Sequence, residues 1–367
     1  MGNYRFLLSG GGTGGHIYPA VAIADELKRR FPEAAFLFVG ARDRMEMEKV
    51  PQAGYPIKGL WISGLERKLS FKNLLFPIKL LSSLLKANTI IGKFRPHLVI
   101  GTGGFASGPT LRAAAARGIP CVLQEQNSFA GKTNKWLARY ARRIFVAYDG
   151  MEQFFPEKSL RLTGNPVRST LMEGTAEPGR AREAFGLEPG RQTLLVLGGS
   201  QGARRINQLV AKELDFFREM GFQVLWQCGR GYFEQYRGQA SDGVEIRPFI
   251  SDMGAAYCAA DLILSRAGAG SVSELCLVGK PVLFIPSPNV AEDHQRKNAE
   301  AIARQGAAVM LTEDELEGAF EATFSELVCD PGRMQRLGTN MKALARPDAT
   351  RQIVDELEQV LKETYGS

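Results

Sequence analysis

Ser9-Gly-Gly-Gly-Thr-Gly-Gly-His16 follows directly on the apolar run Tyr4-Arg-Phe-Leu-Leu8 and leads into Ala20-Val-Ala-Ile-Ala24. An apolar run that ends in glycines and opens into good helix formers reads as strand, tight turn, helix. Glycines let main chain come close to a ligand, and the helix behind them presents free N–H groups and a positive dipole end. The stretch therefore predicts a place for an anion, most often a phosphate; the plainer reading is a tight turn alone. Gly101-Thr-Gly-Gly-Phe-Ala-Ser-Gly108 repeats the device after His97-Leu-Val-Ile100, and Gly198-Gly-Ser-Gln-Gly-Ala203 repeats it after Thr193-Leu-Leu-Val-Leu197.

Outward from these turns, short apolar runs alternate with helical stretches. Ala35-Phe-Leu-Phe-Val39, Cys121-Val-Leu123 and Arg143-Ile-Phe-Val146 complete a first series. Gln223-Val-Leu-Trp226, Val244-Glu-Ile246, Asp261-Leu-Ile-Leu264 and Pro281-Val-Leu-Phe-Ile285 belong to a second. Continuous apolar strands separated by helices predict parallel sheets covered on both faces. The polar, Pro- and Gly-containing stretch from Glu173 to Gly190 has linker composition. The expected fold class is α/β, with two doubly wound, Rossmann-like parallel-sheet domains: 1–164, and 165–345. Glycine turns at the carboxyl ends of strands are where ligands bind in such sheets, so the two domains are expected to face one ligand across a cleft. The amphipathic tail 346–367, with Ile353, Val354, Leu357, Val360 and Leu361, is expected to pack back on the first domain.

The 367 residues are 44% apolar and 23% charged, an ordinary globular balance, and no run reaches the length of a membrane span. The chain starts straight into strand and glycine turn, which predicts a protein without a leader. Five scattered cysteines without a CxxC pair predict reduced thiols in a cytoplasmic setting. The net charge of +7 is uneven: residues 1–164 hold 24 Lys+Arg against 11 Asp+Glu (+13), residues 165–367 hold 22 against 28 (−6). A basic first half calls for an anionic partner. No recognisable nucleic-acid module is present, so nucleic acid is not expected. Ser70 to Lys86 is apolar and basic but too short to span; it reads as a core helix with a basic edge or as a patch that enters anionic lipid.

Candidate chemistry is sparse. His16 ends the first glycine turn, where an imidazole can act as a base near neutral pH. Glu125 in Gln124-Glu-Gln-Asn127 follows a strand and is the rival base. Ser271-Val-Ser-Glu274 opens a helix after small residues: Glu274 can accept from a ribose diol, or Ser271 and Glu274 can form a capping box. His97, behind Pro96, reads as structural, and Glu292 to Asn298 is a polar knot after a strand. No His, Cys, Asp or Glu set has metal-ligand spacing, so neither metal nor cofactor is expected. Gly10-x-Gly12-x-x-Gly15 formally fits a dinucleotide fingerprint, but the second strand ends in Val39-Gly40-Ala41 without a ribose-binding acid.

Taken together, Gly11-Gly-Thr-Gly-Gly-His16, Glu125-Gln-Asn127 with Thr133-Asn-Lys-Trp-Leu137, Gly164-Asn-Pro-Val-Arg168, Gly198-Gly-Ser-Gln-Gly-Ala203 and Ser271-Val-Ser-Glu274 resemble the MurG family. The resemblance runs in order from Gly11 to about Asn298. It implies a GT-B glycosyltransferase of peptidoglycan synthesis at the cytoplasmic face of the membrane, held peripherally by an anionic lipid surface. The implied donor is UDP-N-acetylglucosamine and the implied acceptor a polyprenyl-diphosphate-linked muramoyl pentapeptide. Donor-binding positions carry over onto Thr13, Gly14, Gly15, Asn127, Arg168, Ser200, Ile250, Ala269, Gly270, Ser271, Val272, Ser273, Glu274 and Gln295. Catalysis falls to His16 or Glu125. A transferase of the same fold acting on diacylglycerol, a nicotinamide-dependent dehydrogenase and a non-catalytic nucleotide-sugar sensor are the alternatives.

Overall fold

The computed structural model describes residues 3–64, 75–167, 177–199 and 201–366. The chain divides into two compact units, Met1–Val167 with Pro347–Ser367, and Arg168–Arg346. In the first unit the strands are β1 (Arg5–Gly10), β2 (Ala35–Ala41), β3 (Ile57–Leu60), β4 (Leu98–Gly103), β5 (Cys121–Glu125), β6 (Ala141–Val146) and β7 (Leu160–Leu162). They form one sheet in the order β3-β2-β1-β4-β5-β6-β7, every pair parallel. The second unit holds β8 (Gln192–Leu197), β9 (Phe222–Gln227), β10 (Val244–Arg247), β11 (Leu262–Ser265), β12 (Val282–Phe284) and β13 (Val309–Met310), in the order β10-β9-β8-β11-β12-β13.

Burial explains why these runs became strands. Every residue of β4 and β5 is buried, because side chains on both faces of the sheet are covered. On one face Leu7, Val39, Val99 and Leu123 meet Ala87, Ile91 and Leu111 from helices. On the other, Phe6, Leu8, Ile100 and Val122 meet Ile17, Ile23 and Leu27 of the helix Gly14–Arg30. The strand order reverses between β1 and β4, and again between β8 and β11, so each sheet has one switch point flanked by two strand ends.

The tail forms the helix Ala349–Tyr365. Its Ile353, Val354, Leu357, Val360 and Leu361 join the second of those faces. Arg30 holds Asp355 at 2.5 Å and Glu358 at 3.0 Å, Arg143 holds Glu356 at 3.0 Å, and the Tyr365 hydroxyl donates to the His97 carbonyl at 3.0 Å. His97 is structural as expected: its Nδ1 accepts the Arg5 N–H at 3.0 Å. Cys121, Cys228 and Cys276 are buried free thiols, and burial pushes the first and last up to about 12.

The linker expectation needs correction. Residues 173–176 lie outside the described residues, but Pro178–Glu183 is a helix. Pro178 sits in its first turn, where a missing N–H costs nothing. Buried Arg182 anchors that helix, donating to the carbonyls of Ala259 and Pro189 and to Asp261.

Leu357 is fully buried between the tail helix and the first sheet. Leu357→Ala should lower the stability of the first unit by about 2–5 kcal/mol, read from the urea midpoint, the usual cost of a leucine-sized void.

Candidate active site

In the first unit the glycine turns after β1 and β4 stand side by side at the switch point. The Thr102 hydroxyl donates to the His16 carbonyl at 2.7 Å, and a Cβ on Gly104 would lie 2.3 Å from the Gly11 carbonyl oxygen. Such closeness of main chain to main chain admits no side chain, and Gly104 also has φ +85°. Thr13 caps the helix Gly14–Arg30 in extended conformation, and that helix carries no acidic residue in its first turn. Helix geometry leaves the N–H groups of Gly14 and Gly15 without helical acceptors, as donors toward a bound ligand.

His16 is half-buried on the first turn of that helix. Its Nδ1 lies 2.8 Å from the Gly11 carbonyl and 3.4 Å from the Thr13 hydroxyl. A carbonyl can only accept, so Nδ1 carries the proton and Nε2 is the acceptor nitrogen of the neutral ring. That is the tautomer a general base needs. Behind the turn sits Glu46, fully buried, whose Oε1 accepts the Ala41 N–H and whose Oε2 accepts the Gly12 N–H, each at 2.9 Å.

Glu125 is placed differently. It is buried at the end of β5 and its two oxygens accept four bonds: from the main chain and side chain of Asn127, the Gly131 N–H and the Asn134 amide, all between 2.9 and 3.2 Å. That carboxylate shapes its own loop and has little capacity left to take a proton from a substrate. Asn165 of the Gly164-Asn-Pro segment accepts from Gln124 at 2.8 Å and donates to the Gln126 carbonyl at 3.0 Å, tying that segment to β5.

In the second unit the turn after β8 closes through the Gly202 N–H on the Gly199 carbonyl at 3.0 Å. Ser200 and Arg168 lie outside the described residues. Gln227, at the end of β9, donates to the Gly199 carbonyl at 3.3 Å and accepts the Ile250 N–H at 2.8 Å, so Ile250 and the glycine turn share one anchor. After β11 the helix Ala269–Val278 starts with Gly268 as its cap. The capping-box expectation is therefore overturned: Ser271 lies inside the helix, and Glu274 accepts from the Tyr257 hydroxyl at 3.3 Å. Burial first, and then Glu274, push that phenol well above its ordinary range, so it remains a donor. The Ser273 hydroxyl is bent back on the Ala269 carbonyl at 3.0 Å, and Val272 packs into the core. Gly270 is exposed with open space where a Cβ would stand, which leaves the first helical turn accessible. Gln295 accepts the Ser287 N–H at 2.9 Å, and buried Asn298 donates to the Ala267 carbonyl at 3.2 Å, joining the helix His294–Ala303 to the turn after β11.

Within each unit, part of the expected set stands at the switch point: Thr13 to His16 beside Gly103, and Ala269 to Glu274 after β11, next to β8; Glu125 and Asn127 follow β5, Ile250 follows β10 and Gln295 follows β12. Glu46, Gln227 and Tyr257 escaped the sequence reading. Glu46 stands in the charged run Arg42 to Lys49, which has the composition of a solvated face; Gly40 and Gly11 make room for it, a Cβ on Gly40 lying 2.5 Å from Glu46 Cγ.

Residues 6–146 match the glycosyltransferase family 28 N-terminal domain and residues 193–353 its C-terminal domain. The UDP-N-acetylglucosamine--N-acetylmuramyl-(pentapeptide) pyrophosphoryl-undecaprenol N-acetylglucosamine transferase of Christiangramia forsetii is 58% identical over 357 residues, 97% of this chain and 98% of that protein. Its Flavobacterium psychrophilum namesake is 54% identical over 363 residues, 99% of both chains. The crystal structure of Acinetobacter baumannii MurG superposes with a TM-score of 0.79 at 26% identity, covering 97% of this chain and 99% of that one. The turns, helix starts and strand order described above thus belong to a glycosyltransferase, and the chain is a member of the MurG family within glycosyltransferase family 28.

Proposed function

We propose that this chain transfers N-acetylglucosamine from UDP-N-acetylglucosamine to the 4-hydroxyl of undecaprenyl-diphospho-N-acetylmuramoyl pentapeptide, a step of peptidoglycan synthesis. Kinship along the whole chain with transferases named for this donor and acceptor carries the reading. The chemistry suits the side chains present. The acceptor oxygen attacks the anomeric carbon from the face opposite the phosphate, so the configuration inverts. The O–H proton passes to His16 Nε2, and the electron pair of the breaking C–O bond leaves on the diphosphate of UDP. Ala269, Gly270 and Ser271 at the helix start supply N–H groups and a helix dipole for that charge, aided by Ser200 and Arg168. Glu274, Ile250 and Gln295 hold the nucleoside end; Thr13, Gly14, Gly15 and Asn127 complete the substrate contacts. Glu125 positions Asn127 and is not the base.

The protein works at the cytoplasmic face of the membrane without crossing it. No described helix is long and apolar enough to span a bilayer. The helix Phe76–Phe94 buries Ser83, Ala87 and Ile91 and leaves Ile78, Leu81 and Leu85 56%, 59% and 62% exposed along one stripe. A helix lying in the lipid interface presents such a stripe beside lysines. Here Lys79 and Lys86 reach back to Ser63 and the Gly59 carbonyl at the edge of the stripe.

Labelled N-acetylglucosamine should move from UDP to a short-chain lipid acceptor analogue, with UDP-glucose and UDP-N-acetylgalactosamine as poor donors; no transfer, or transfer to diacylglycerol instead, overturns the reading. His16→Ala should lower kcat by roughly 10²–10⁴ with donor binding retained, the scale of a lost general base, and near-normal turnover removes His16 from that role. Leu81→Glu with Leu85→Glu should abolish co-sedimentation with anionic vesicles while leaving turnover of a soluble acceptor analogue intact; unchanged sedimentation removes the stripe from lipid contact.

A further inference from the structure

Gly11 C=O and Gly12 N–H belong to one peptide group. Glu46 Oε2 accepts its N–H at 2.9 Å, and His16 Nδ1 donates to its C=O at 2.8 Å. A trans peptide points these two atoms in opposite directions, so the carboxylate and the imidazole sit at the two ends of one planar, polarisable unit. We infer that Glu46 is a positioning residue for the transfer reaction, acting on the base His16 through the Gly11–Gly12 peptide. The inference rests on the reading of His16 as the base.

The carboxylate draws the amide hydrogen toward itself, which raises the electron density on the carbonyl oxygen and strengthens its bond to Nδ1–H; hydrogen bonds in a chain reinforce one another in this way. Two effects follow. The ring is locked in the tautomer that offers Nε2 to the acceptor hydroxyl. The imidazolium formed by proton transfer gains an anion one peptide away, in a fully buried position where water does not screen it. The arrangement matches the carboxylate behind a serine-protease histidine, with an amide interposed.

The construction is tight. A Cβ on Gly11 would lie 2.1 Å from Glu46 Oε1, and one on Gly40 2.5 Å from its Cγ, so both glycines leave room for this side chain. A Cβ on Gly103 would lie 2.9 Å from His16 Cδ2, so the β4 turn backs the ring from the other side. Among the described residues, the ionisable groups on the elements packed against the ring are these. The β4 turn Thr102 to Phe105 carries none, Arg42, Asp43 and Arg44 after β2 are solvent-exposed, and Tyr18 is exposed on the same helix. Glu125 on the β5 loop is engaged by Asn127, Gly131 and Asn134. Asp355 and Glu358 of the tail helix meet Arg30, at the far end of the His16 helix.

Two measurements on the full chain test this. Glu46→Gln keeps the shape and removes the charge. It should lower kcat about 10- to 100-fold, the loss seen when the carboxylate backing a metal-bound histidine is removed. It should also shift the acid limb of the kcat–pH profile to lower pH with donor KM unchanged, because the imidazolium has lost a stabilising anion. A purely structural Glu46 would change the melting temperature and leave that limb in place. The second measurement uses the unmodified chain, in case the variant does not fold. Nitrogen-15 spectra of its three histidines should show neutral His16 protonated at Nδ1, with the Gly12 amide proton resonance moving as His16 titrates. His97, whose Nδ1 accepts the Arg5 N–H, provides the opposite tautomer as reference. A His16 protonated at Nε2, a Gly12 resonance indifferent to its titration, or a folded Glu46→Gln enzyme with an unmoved acid limb overturns the inference. Retained turnover in His16→Ala would instead overturn the reading beneath it.

Discussion

The approach of the Gly11 and Gly104 turns, main chain against main chain, governs the first unit. With a Cβ at Gly104 placed 2.3 Å from the Gly11 oxygen and one at Gly10 placed 1.9 Å from the Thr102 hydroxyl, the two turns meet only as glycines. Their contact sets the direction of the Gly11 carbonyl, and that carbonyl sets the ring of His16. The Thr102 hydroxyl then fixes the same residue through its main chain. A parallel sheet whose strand order reverses between β1 and β4 brings two turns together at this spot by topology alone. The glycines convert that proximity into defined geometry.

How much of this was legible in the sequence follows from where each residue sits. The central strands announce themselves because both faces are buried and each carries a run of apolar residues. The edge strands β3, β7 and β13 did not, since they are short and part-exposed: β7 has no buried residue and β13 is only two residues long. The three glycine turns were readable because a conformational demand selects one residue type. At the helix start the sequence left two roles open for Glu274, since Ser271 and Glu274 fit a capping box by spacing, whereas the loop closes on Gly268. Spacing records what a local hydrogen bond would need and carries no information on Tyr257, which arrives from another helix to claim Glu274. Glu46 was invisible for a related reason: a carboxylate among five charged neighbours becomes a buried one only when β2 and the turn after β1 are side by side.

The second unit solves the same packing problem with different atoms. A Cβ on Gly202 would lie 2.2 Å from the Cys228 carbonyl oxygen, and one on Gly229 2.3 Å from the Gly202 nitrogen, so its two turns also meet as glycines. The buried side chain that links turn to sheet is Gln227, where the first unit uses Glu46. Gln227 donates one hydrogen bond and accepts one, and it carries no charge.

That difference follows the chemistry proposed for each turn. A glycine turn that receives a diphosphate gains from every N–H dipole aimed at it and loses from any anion held behind it, because a buried charge acts across a medium of low dielectric. A neutral amide anchors such a turn without opposing its ligand. A turn that carries a base has the opposite requirement: positive charge develops on the imidazole as the proton arrives, and a carboxylate one peptide away favours that event. On the proposed assignment, the first turn has a charged anchor, Glu46, behind its base, and the second a neutral one, Gln227, behind the departing diphosphate.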